Sequence, residues 1–191
     1  MTSPDLTLPF RIRAMRTEDL EKVQVIDRTS FSLPWPTSAY NYELNNPMSL
    51  SWVAEIFMEE GQPTIVGMVV VWLIVDEAHI ATLAVEPGYR RLGIGQALLV
   101  TALEEAIQRG MLEVTLEVRA NNIPARRLYQ RFKFEIAGYR PRYYRDNNED
   151  ALIMTMNHLG EPYLAWLENG AWKQSKDATI SESSKTTASE P

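Results

Sequence analysis

The sequence predicts a mixed α/β fold, mostly antiparallel, built round one central parallel strand-helix-strand unit. Three observations predict it. Residues 79–85 read as a strand, turn through Glu86-Pro87-Gly88, continue as a helical pattern over 93–109 closed by Gly110, and return as an apolar strand at 114–118. Such a crossover makes its two strands parallel and its connection right-handed. Upstream, 51–58 and 64–75 are apolar runs joined by the glycine-containing segment 59–63, a hairpin connection; downstream, 134–144 and 151–156 read as a closing antiparallel pair.

The elements follow in order. Residues 10–14 alternate apolar with arginine as a first strand should. Thr17 is then the expected cap of a helix with Leu20, Val23, Ile26 and Phe31 on one face. Phe31-Ser32-Leu33-Pro34-Trp35-Pro36 ends it, because each proline disfavours helical geometry in the residue before it. This stiffened aromatic loop is either a substrate wall or a strap pinned on the core. A short helix over 37–45, with Thr37 as its cap, leads to the hairpin. In the central helix Ile94, Ala97, Leu98, Ala102, Leu103 and Ala106 recur at helical spacing. Ala125, Leu128, Tyr129 and Phe132 mark a further short amphipathic helix.

The chain therefore reads as one domain over 1–160, a docked extension at 161–172 carrying Tyr163, Trp166, Leu167 and Trp172, and a polar, aromatic-free tail at 173–191 expected to be disordered. Its longest apolar run is too short to cross a bilayer, and residues 1–13 lack the apolar core of a secretory signal, so a cytoplasmic monomer away from membranes is expected. The 191 residues contain no cysteine, which excludes disulfides, thiolate metal sites and a covalent cysteine intermediate. A net charge of -6 argues against direct nucleic-acid binding. Yet residues 119–145 hold eight Arg or Lys against one Glu, a span of +7 fit for a polyanionic cofactor. His79 and His158 have no partners at metal-ligand spacing, so no metal is expected and His79 reads as structural.

The turn between strand and central helix carries Arg90, Arg91, Leu92, Gly93, Ile94, Gly95 and Gln96. A helix start leaves backbone N–H groups unpaired, the macrodipole adds partial positive charge, and glycines allow close approach, so this is the build of an anion cradle. A dinucleotide fingerprint fails because Leu98 stands where its third glycine belongs, and no Gly-Lys-Ser/Thr follows for a Walker loop. The pattern Arg90-x-x-Gly93-x-Gly95 instead resembles the acetyl-CoA-binding motif of the GNAT superfamily of N-acetyltransferases. Leu116-Glu117-Val118-Arg119-Ala120-Asn121-Asn122, Tyr129, Arg142-Tyr143-Tyr144 and the Phe31-Ser-x-Pro-Trp loop sharpen the likeness. Together they resemble the RimI branch, the ribosomal-protein alanine N-acetyltransferases.

The resemblance implies a GNAT-like sheet with helices on both faces and acetyl-CoA as acetyl donor. Residues 90–96 would receive its pyrophosphate, and the backbone of Leu83, Ala84 and Val85 would pair with the pantetheine amides. Asn122 corresponds to a cofactor-contacting asparagine, a role compatible with capping the next helix. Glu117 takes the proton-acceptor position; its bland alternative is a carboxylate paired with a basic neighbour. Tyr129 takes the position that protonates the CoA thiolate, although core packing would also explain it. Phe31, Pro34, Trp35, Tyr143 and Tyr144 would flank the acceptor amine, the N-terminus of a protein, ribosomal by resemblance. A lysine or small-molecule amine as acceptor, and a non-catalytic CoA-binding module, are the alternatives. One departure stands out: Lys133-Phe134 replaces the family's usual Gly-Phe, which implies strain or a different ending for the Tyr129 helix.

Overall fold

Seven strands form one sheet in the order β1-β2-β3-β4-β5-β7-β6. The structure, a computed structural model, describes residues 9–57 and 62–173, so the tail from 174, the start of the chain and part of the β2–β3 connection lie outside the described residues. The strands are β1 (Phe10–Ala14), β2 (Ser49–Ile56), β3 (Thr64–Ile74), β4 (Glu77–Val85), β5 (Glu113–Arg119), β6 (Glu135–Tyr144) and β7 (Glu149–Asn157). Only β4 and β5 run parallel; every other neighbouring pair is antiparallel. The helix between those two strands, α3 (Ile94–Gln108), is the crossover that the alternation of strand and helical patterns requires.

Helices cover both faces. On one, α1 (Leu20–Ser30) and α2 (Thr37–Asn45) bury Leu20, Val23, Ile26 and Tyr40 against Val53, Met68, Val70 and Ala84. On the other, α3 buries Ile94, Leu98, Leu99, Ala102 and Leu103 against Val66, Val69, Val71, Ile80 and Val85. Two more helices, α4 (Ile123–Arg131) and α5 (Glu161–Glu168), join that second core through Tyr129, Tyr163 and Leu167. Gly67 on β3 permits the close fit of α3, since a Cβ there would stand 3.0 Å from Leu98 Cδ1 and 3.2 Å from the Ala84 carbonyl oxygen.

Three local expectations are corrected. Thr17 does not cap α1: a short 3-10 turn, Thr17–Asp19, comes first, and the buried Asp19 carboxylate accepts from the Arg16 N–H at 2.8 Å and pairs with Arg13 at 2.7 Å. Arg13 outranks the hydroxyl because charge-assisted hydrogen bonds are the stronger ones. Thr37 is the first residue of α2 rather than its cap, which is Pro36, and the Thr37 hydroxyl accepts instead from Gln24. Strand β3 stops at Ile74 because exposed Val75 takes a left-handed conformation, φ 59°, in the turn to β4. For a β-branched residue that is a strained turn position.

Candidate active site

Pairing between β4 and β5 is confined to Glu77–His79 against Glu113–Thr115, so the two strands part beyond His79 although both continue. The register between β3 and β4 shifts opposite Val70 and Val71, leaving Ala81 out of the pairing. Such a bulge exchanges the faces onto which later side chains point. Ile80 before it and Leu83 and Val85 after it all belong to the α3-side core, while Ala81 and Ala84 pack on the α1 side. The Leu83-Ala84-Val85 backbone thus borders the opening between the parted strands.

The Val85 end leads into the glycine turn. Arg91 (φ 67°) and Gly93 (φ 82°) are left-handed, and Gly93 is the N-cap of α3 with no side chain bonded across that end. Left-handed residues just before a helix start leave its unpaired N–H groups open to close approach, the kind of place where anions bind. Gly95 contributes less than the sequence implies, since a Cβ there would meet Val85, Leu128 and Leu83 side chains at ordinary distances of 3.7 to 4.0 Å. Arg90 faces back into the fold. Its Nε donates to the Val85 carbonyl at 2.9 Å and its guanidinium reaches the Ser30 hydroxyl at 3.4 Å, so it ties the turn to β4 and α1. Leu92 is exposed, Ile94 is buried in the α3 core, and Gln96 lies in the first turn of α3.

On β5, Val114, Leu116 and Val118 enter the α3-side core, so by alternation Thr115, Glu117 and Arg119 face the α1–α2 side. His79 is the register partner of Thr115, which places Glu117 diagonally across from it. His79 Nε2 stands 3.0 Å from Glu117 Oε2, and Arg140 on β6 reaches the other carboxylate oxygen at 2.9 Å. The second imidazole nitrogen lies 3.5 Å from Glu77. The hydrogen bond from His79, reinforced by its charge and that of Arg140, holds the Glu117 carboxyl below its ordinary range despite burial. His79 is correspondingly raised, by its hydrogen bond to Glu117 and the nearby carboxylate charges. The reading of His79 as a lone structural residue missed this contact; the legible signal was its place at the start of the strand parallel to the one bearing Glu117.

An aromatic series continues from His79. Its ring stacks on Trp72 at 5.6 Å, Trp72 on Trp35 at 5.9 Å, and Trp35 lies 5.3 Å from Tyr40. Trp35 is further held by its backbone N–H, which donates to the buried Asp27 carboxylate at 2.6 Å. In the Phe31–Pro36 loop, Trp35 pins the chain to the core, while Phe31 and Pro34 remain exposed. Its tip meets the β6–β7 turn, where Arg119 and Ser32 both bond Asp146, at 2.9 and 2.6 Å, and Arg119 also donates to Ser32 at 2.8 Å. The Arg119 guanidinium lies 4.0 Å over the Tyr144 ring, and Tyr143 meets Tyr144 edge-on at 5.2 Å.

Tyr129 occupies the buried face of α4, its ring 5.6 Å from Phe134, and burial drives its phenol well above the usual range. Tyr144, close enough to add to that shift, is pushed up to about 12, chiefly by burial. Both phenols thus stay protonated at neutral pH. Asn122 caps α4, its side-chain oxygen accepting from Ala125 N at 3.2 Å. Among the described residues no group of three or more His, Asp or Glu is placed to hold a metal ion, and no helix is long and apolar enough to cross a membrane. A recess of about 290 Å³ lined by Met15, Glu43, Ser51, Trp52 and Arg109 sits at the β1–β2 end of the sheet, away from the opening, and brings none of these groups together.

The model of the acetyltransferase (GNAT) family matches residues 20–134, more than half of the chain and the whole span from α1 through the parted strands to the end of α4. The chain belongs to the GNAT acetyltransferase family. Among its GNAT relatives, a Bacillus subtilis protein provisionally named ribosomal protein bS18-alanine N-acetyltransferase is 37% identical over 144 residues, 75% of this chain and 92% of that one. The Escherichia coli K12 ribosomal protein bS18-alanine N-acetyltransferase is 30% identical over 158 residues, 76% and 95% of the two chains. The crystal structure of the E. coli ribosomal-protein-S18-alanine N-acetyltransferase superposes with a TM-score of 0.70 at 29% identity, covering 80% of this chain and 96% of that one. Arabidopsis thaliana NAA60 in complex with acetyl-CoA, at 22% identity and a TM-score of 0.71 over 78% and 98% of the chains, shares the GNAT fold.

Proposed function

We propose that this GNAT enzyme transfers the acetyl group of acetyl-CoA to the α-amine of a protein N-terminus, an N-terminal alanine of a small-subunit ribosomal protein. The observation that carries the reading is the engagement of Glu117 by both His79 and Arg140 beside the parting of β4 and β5. A carboxylate held below its ordinary range is a modest base. That suits an α-amine, whose reference pKa near 8 leaves a sizeable neutral fraction at pH 7, better than a lysine amine at about 10.4. The names of the B. subtilis and E. coli relatives support the same acceptor class.

The left-handed Arg91 and Gly93 and the uncapped start of α3 suit the donor's pyrophosphate, with Leu92, Ile94, Gly95 and Gln96 forming that turn and Arg90 bracing it; Asn122, at the start of α4, is assigned to the donor by resemblance. The backbone of Leu83, Ala84 and Val85 offers hydrogen-bonding groups to the pantetheine amides where β5 no longer pairs. In the transfer the amine nitrogen bonds to the thioester carbon as the carbon–sulfur bond breaks. Glu117, with His79 beside it, collects the proton that nitrogen loses, and Tyr129 delivers one to the departing sulfur. Phe31, Pro34 and Trp35 on one side and Tyr143 and Tyr144 on the other flank the acceptor. Glu117 with His79 beside it, together with Tyr129 as the proton donor, is more than a non-catalytic CoA-binding module would need.

Acetyl-CoA turnover on an alanine-starting peptide, against the same peptide with a blocked α-amine and free lysines, tests the acceptor. Acetylation of the first alone is expected. Transfer to the lysines at a comparable rate would replace the N-terminal reading with the side-chain one.

A further inference from the structure

The last turn of α4 ends in a conformation its sequence disfavours. Lys133 is left-handed at φ 63°, a position at which glycine is the usual helix terminator. The ending is nevertheless complete: Phe134 N donates to the Tyr129 carbonyl at 3.1 Å, Lys133 N to Gln130 at 2.9 Å, and the Tyr129 and Phe134 rings meet across it. Tyr129 is thus the residue on which this ending closes.

What surrounds the lysine is α5, beyond the residues that the family model matches. The buried Tyr163 hydroxyl donates to the Phe132 carbonyl at 2.7 Å. Lys133 Nζ lies 4.5 Å over the Trp166 ring and 5.9 Å from that of Tyr163, and the two rings stack at 5.2 Å. Phe132 meets Trp166 edge-on at 6.2 Å and Trp172 at 5.1 Å. Two consecutive residues, Phe132 and Lys133, are therefore gripped from outside by one aromatic face. Cation–π contact and the carbonyl hydrogen bond both act on the strained turn. The segment leading into α5 is fixed independently, Leu159 N donating to the Leu112 carbonyl at 3.0 Å.

We propose that α5 is a positioning clamp which, through Tyr163 and Trp166, holds the lysine-terminated end of α4 and so sets the placement of Tyr129. The proposal rests on the reading of Tyr129 as the group that protonates the departing thiolate. Tyr163 and Trp166 touch no reacting atom; they act through the turn.

Steady-state kinetics with acetyl-CoA and an alanine-starting peptide test it. Tyr163→Phe keeps the ring and removes the hydrogen bond, and kcat should fall about tenfold, since small misplacements of a catalytic group are costly, while KM for acetyl-CoA stays within about twofold. Trp166→Leu should do the same by a second route, should the first variant fold poorly. Lys133→Gly alone should keep the wild-type kcat, because glycine needs no help to end the helix, and it should restore most of the loss when combined with Tyr163→Phe. In a Tyr129→Phe background, Tyr163→Phe should cause no further loss. A merely structural α5 would lower thermal stability and leave kcat untouched in the folded variants. That outcome, or a full additional loss in the Tyr129→Phe background, overturns the clamp alone. A wild-type kcat in Tyr129→Phe overturns the thiolate-protonation reading, and the clamp with it.

Discussion

His79 and Glu117 are joined at 3.0 Å across two strands that pair for only three residues before they part. The contact closes the last paired step of β4 and β5, and Arg140 completes it from the second strand beyond. The carboxylate proposed as the base is therefore also a tie between the strands.

The pair should make stability depend on pH. His79 is raised in the folded state, so its contribution is complete below its unfolded value of about 6.5 and is lost as pH rises through the folded value. Glu117 is lowered, so its contribution is present above about 4.5 and is lost as pH falls through its folded value. Between those limits the pair stabilises most. His79→Gln should cost on the order of 1 kcal/mol near pH 5.5, allowing for partial solvent screening, and the difference should shrink at high pH. Urea denaturation of both proteins from pH 5 to 9 measures it; a difference constant across that range would mean the pair carries no linkage.

Asp27 should prove the anchor of the Phe31–Pro36 loop. It is buried, burial raises its carboxyl, and its carboxylate accepts from the Trp35 backbone N–H. Asp27→Ala should destabilise the protein by about 2 kcal/mol, in the range of a buried charged hydrogen bond, and free the Trp35 indole from its stack on Trp72. Tryptophan fluorescence alongside thermal melting would detect both, and an unshifted emission would show that packing alone holds the loop.

Three glycines should respond differently. Gly93→Ala forces a side chain into a left-handed position, costing about 1 to 2 kcal/mol, and should weaken acetyl-CoA binding by disturbing the turn. Gly67→Ala must push α3 away and should cost about 1 to 3 kcal/mol. Gly95→Ala meets only ordinary contacts and should fold as wild type. Calorimetric titration with acetyl-CoA and melting curves separate the three, and equal behaviour of Gly93→Ala and Gly95→Ala would remove the backbone argument for the cradle.

The crossover unit and the hairpins were legible because periodicity and turn residues record burial directly. What escaped were pairings set by register and by competition. Nothing local in the sequence says that His79 lies diagonally from Glu117, since that follows from where two strands separated by a whole helix begin to pair. Thr17 lost its capping role to Asp19 because Arg13, on another element, made the carboxylate the stronger partner. Lys133 read as an anomaly because its explanation lies in Trp166 and Tyr163, on a helix whose docking no motif announces.

The division of labour between Glu117 and Tyr129 offers the sharpest test of the reaction. If Glu117 collects the amine proton, Glu117→Gln should lower turnover about a hundred- to ten-thousand-fold at neutral pH, the usual worth of general acid–base assistance, with acetyl-CoA affinity little changed. Raising the pH should recover part of that loss, because more amine then arrives neutral and needs no base. Tyr129→Phe should show no such recovery. Its phenol is buried and held well above the ordinary range, so it is a proton source at every working pH, and its removal leaves the thiolate without one however neutral the amine. Single-turnover rates for both variants from pH 6.5 to 9.5 decide it. The same alkaline recovery in both, or wild-type turnover in Glu117→Gln at neutral pH, would withdraw the two assignments and leave the cradle at the start of α3 as the part of the site still standing.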